Sequence, residues 1–83
     1  MKARQLINSA SFGPNALKVI GQAFDAAWQE VEPGVSKRPE ALEAARLSLA
    51  SIVLSLARDD TRDPVPLKNE AVRSFKSRRQ HSS

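Results

Sequence analysis

The chain contains no cysteine, and its single histidine is His81. Disulfide bonds therefore cannot stabilise the fold, and a metal site built from histidine and cysteine is excluded. A lack of cysteine is typical of proteins in a reducing compartment, so we expect a cytoplasmic location. No stretch reaches the roughly 18 uninterrupted apolar residues of a membrane-spanning helix. No apolar run of signal-peptide length follows Lys2 and Arg4, so we expect neither a membrane partner nor secretion.

The length of 83 residues predicts one small domain. A single core of this size rarely supplies more than about 3–5 kcal/mol of net stability. Disulfides are excluded and we do not expect a stabilising metal, so close helix packing and association with another chain remain as sources of stability.

Positive charge is concentrated at the C-terminus. The first 70 residues carry nine Lys or Arg and nine Asp or Glu, so the net charge of +4 comes from the rest of the chain. The cations there are Arg73, Lys76, Arg78 and Arg79. A solvated basic tail is one interpretation, and contact with a polyanion such as nucleic acid is the other.

Residues 39–58 carry the strongest periodicity in the chain. Apolar side chains recur there at steps of three and four, which predicts a helix: Leu42, Ala45, Leu49, Ile52 and Leu56. A second apolar stripe runs beside the first and comprises Leu47, Ala50, Leu54 and Ala57. The remaining face offers Ser48, Ser51 and Ser55. A helix that is apolar over so much of its circumference needs cover on more than one side, so we predict a central buried helix.

Two further helices complete the predicted fold, an all-α three-helix bundle. Amphipathic spacing predicts the first helix over 14–32, with Phe24 and Trp28 as core anchors, and the third over 65–76. Pro33-Gly34 predicts a type II turn between the first two helices. Asp63 is the expected cap of the third helix, although Pro66 would also suit a start one turn later. We expect a mobile N-terminal arm, a helical domain and a disordered basic tail, over 1–12, 13–76 and 77–83.

Catalytic chemistry has little support in the sequence. Asp59, Asp60 and Asp63 have the D-D-x-x-D spacing of some magnesium sites, but no second carboxylate cluster is present to complete one. We expect these residues to form a solvated loop instead. The serines of residues 39–58 have no basic partner at a suggestive spacing. We therefore predict no catalytic, cofactor-binding or metal-binding residue, and no enzyme.

These observations favour a non-enzymatic protein-interaction module that self-associates as a homodimer or binds a partner helix. The expected interface comprises Leu47, Ser51, Leu54 and Ser55, because this side of the central helix exceeds what two shorter helices can cover. The alternative is an accessory nucleic-acid-binding protein that uses Arg73, Lys76, Arg78 and Arg79. The aspartates ahead of the third helix oppose that alternative, because they repel phosphate.

One pattern in the chain extends over roughly residues 14–75. Its elements are Ala23, Phe24, Ala27 and Trp28, then Ala45, Arg46, Leu49, Ala50, Leu56 and Ala57, then Asp63, Pro64 and Leu67. This pattern resembles a group of small uncharacterised bacterial all-helical proteins. The resemblance implies a small helical domain and implies no activity, substrate or cofactor.

Overall fold

A computed structural model describes residues 5–7, 12–58 and 62–81, and the side chains of 78–81 are not described. Residues 5–7 are helical (α1). The long helices are α2 (Pro14–Val31), α3 (Pro39–Leu56) and α4 (Pro64–His81), and a 3₁₀ turn over Glu32–Gly34 follows α2. No strand occurs among the described residues, so the all-α prediction is confirmed.

Each long helix is 18 residues long and begins on a proline. Proline suits this position because its missing N–H would have no partner in the first turn. At the start of α4, the backbone N–H of Val65 donates to Asp63 Oδ1 at 3.0 Å, which confirms Asp63 as the cap. Pro66 also lies in that first turn, where it removes no helical hydrogen bond.

The core is made of apolar side chains from every helix. The buried residues with no more than 2% of their surface exposed include Ile7, Ile20, Phe24, Leu49, Ile52 and Val53. Trp28 is only half-buried and packs against this cluster, so it is a flanking residue of the core, whereas Phe24 is a central one. The most extensive contact between helices is that of α2 with α4. The packing therefore does not confirm the prediction that α3 is the central helix of a three-helix bundle.

Helical residues lie near both chain ends in the described part. Residues 5–7 are helical, and Ile7 packs into the core at 1% exposure. The mobile arm expected over 1–12 stays a prediction. Residues 1–4 and 8–11 lie outside the described part. The prediction that the third helix ends at 76 and that 77–83 is disordered is wrong as far as His81. Arginine and glutamine are good helix formers, and cations favour the C-terminal end of a helix.

The turn between α2 and α3 also differs from the prediction. A type II turn requires a positive φ at Gly34, and no described glycine has one. Residues Glu32–Gly34 form a 3₁₀ turn instead, and the Val35 N–H donates to the Glu32 carbonyl at 2.9 Å. This path places Val35 in the core at 5% exposure, which stabilises the 3₁₀ turn over the predicted one.

Candidate interaction surface

Helix α3 has a buried side and an exposed side. Its buried residues are Ala45, Leu49, Ala50, Ile52 and Val53. Between Glu40 and Arg58, its exposed residues are Ala44, Ser51, Ser55 and Leu56. Leu47 and Leu54 are half-buried between the two sides and pack against the core. We call Ala44, Leu47, Ser51, Leu54 and Ser55 the α3 outer face.

The four residues predicted as a partner interface all belong to the α3 outer face. Ser51 and Ser55 are exposed, while Leu47 and Leu54 offer only part of their surface. The Ser55 hydroxyl donates to the Ile52 carbonyl at 2.8 Å, so its polar group is satisfied within the helix. Burying this serine against another protein would leave no donor unpaired.

The two charged residues in the middle of α3 lie on its flanks. The Arg46 guanidinium stacks over the Trp28 ring at 5.1 Å from the ring centroid, a cation–π geometry. Glu43 is half-buried, and its Oε1 atom is buried without a hydrogen bond from any described residue. The α3 outer face is therefore uncharged over its whole length. Sequence reasoning missed the Arg46–Trp28 contact because it depends on how α2 and α3 are rotated against each other.

The outer faces of the other two long helices are strongly polar. On α2 the exposed residues include Lys18, Gln22, Asp25 and Gln29. On α4 they include Asn69, Glu70, Arg73 and Lys76. An ion pair joins Lys68 of α4 to Glu30 of α2. The uncharged outer face is thus particular to α3 among the long helices.

Three of the four predicted polyanion contact residues occupy positions on one side of α4. Arg73 and Lys76 are exposed, and Arg73 Nη2 lies 2.5 Å from Glu70 Oε1. Arg78 and Arg79 also lie within α4. At about 100° per residue, the backbone positions of Arg73, Lys76 and Arg79 lie within about 120° of one another around the helix, because they follow at steps of three. Arg78 is set apart from these three positions.

A shallow apolar pocket lies where α3 ends and α4 begins. It is lined by Leu56, Pro66 and Leu67, with charged residues at its rim. The apolar spacing of α3 predicts that Leu56 is buried, but 36% of its surface is exposed. It is exposed because α3 ends at this residue and α4 begins only at Pro64. The pocket offers apolar contact and no pairing of a nucleophile with a base.

Of the predicted acidic cluster, only Asp63 lies in the described part, and it caps α4. Asp59 and Asp60 lie outside it. Among the residues the structure describes, no group of three metal-ligating side chains converges. Within the same residues, no helix has the length and apolar character needed to cross a bilayer.

Comparison with known proteins returned no matching family model, no matching curated protein and no matching solved structure. The resemblance to small bacterial helical proteins remains a prediction.

Proposed function

We propose that this chain is a non-enzymatic protein-interaction module whose binding surface is the α3 outer face. The observation that carries the proposal is the contrast in charge between this face and the outer faces of α2 and α4. Burying a charged face requires its ions to be desolvated, which costs several kcal/mol per ion unless each is paired. Burying the α3 outer face removes only methyl, leucine and serine groups from water.

The composition of the face supports a helix as its partner. Ala44 and Ser51 are small and exposed, so another backbone can approach closely, and Leu47 and Leu54 stand beside them as apolar contacts. Helices pack through such ridges and grooves at interaxial distances of about 8–10 Å. The proposal includes a cytoplasmic location, where a fold without disulfides is at no disadvantage.

Site-specific photo-crosslinking tests the proposal. A photoreactive amino acid replaces Ser51 on α3 in one version of the full chain and Ser77 on α4 in another, since both serines are exposed. We expect protein adducts in the native cell at position 51 that do not form at position 77. Identical adducts at the two positions, or none at position 51, would reject the α3 outer face as the binding surface.

The accessory nucleic-acid-binding role has weaker support. Glu70 partly neutralises Arg73, and Arg78 is set apart on α4 from the side that carries positions 73, 76 and 79. Filter binding at two salt concentrations separates the two functions. Retention with a steep salt dependence would favour the nucleic-acid role, because neutralised phosphates release counterions. We expect no specific retention.

A further inference from the structure

We draw no further inference here: the strongest candidate, the groove between α3 and α4 beside Ser55, carries none, because its charged lining residue, Arg73, is already ion-paired with Glu70 and nothing in the structure shows what covers it.

Discussion

The outer faces of α3 and α4 belong to helices of equal length but present opposite chemistry to water. The exposed residues of α4 include Glu70, Arg73 and Lys76, whereas the exposed residues of α3 between its two ends are alanine, serine and leucine. Charged side chains hold their hydration strongly and resist burial, while an uncharged face loses little on leaving water. Two helix faces of the same molecule that are both exposed to water can therefore have different roles, one as a solvated surface and the other as a binding surface.

The comparison also holds within α3, between its buried side and its outer face. Leu49 is fully buried, whereas Leu47 lies only two residues away and is half-buried. Removing buried methylene groups leaves a cavity, while a half-exposed site can be filled by water. Substitutions on the buried side should therefore destabilise the fold most, and substitutions on exposed surfaces should have smaller effects.

Leu49→Ala should lower the free energy of unfolding by about 2–5 kcal/mol, while Leu47→Ala should lower it by about 1 kcal/mol. Urea unfolding followed by circular dichroism at low protein concentration measures both. A loss of about 2–5 kcal/mol is comparable to the whole stability expected of a core this small. Equal losses from the two variants would contradict the division of α3 into two sides.

Ser51→Arg should weaken self-association at least tenfold, or about 1.4 kcal/mol, because it places a charge in the α3 outer face. Ser77→Arg is the matched control on α4 and should leave association unchanged within about twofold. Sedimentation velocity over a range of concentrations compares the two. If both variants associate like the natural chain, the α3 outer face has no special role in association.

Asp63→Ala should lower stability by about 1 kcal/mol, since Val65 N–H loses its acceptor at the start of α4. Asp63→Asn keeps an acceptor oxygen and should recover all but a few tenths of this loss. Thermal unfolding of the two variants gives the comparison. If Asp63→Asn is as unstable as Asp63→Ala, the lost stability comes from removing a negative charge near the helix start and not from removing the cap.

Arg46→Met should lower stability by about 0.5–1 kcal/mol through loss of the contact with Trp28. Arg73→Met on α4 removes an exposed ion pair with Glu70 and should cost less than about 0.5 kcal/mol. The chain has one tryptophan, so its fluorescence reports on this contact directly. An emission spectrum unchanged by Arg46→Met would argue against the stacking of Arg46 on the ring.

Local features of the sequence were sufficient to predict the three long helices, but not α1 or the C-terminal end of α4. The starts at Pro14 and Pro39 and the capping by Asp63 depend on residues adjacent in the chain. Periodicity identified Leu49 and Ile52 as core residues because a three- and four-residue repeat marks one side of any helix. It also marked the α3 outer face, since the serines interrupt the apolar pattern there.

Tertiary packing decided what the local pattern leaves open. Which side of α3 is covered, the exposure of Leu56, the stacking of Arg46 on Trp28 and the burial of Ile7 all depend on how the helices are placed and rotated relative to each other. The same holds for the 3₁₀ turn, which is favoured because it buries Val35. A sequence repeat determines on which side of its own helix a side chain lies. Which residues of two helices touch also depends on how the helices are rotated about their axes relative to each other, and the sequence of one helix does not contain that information.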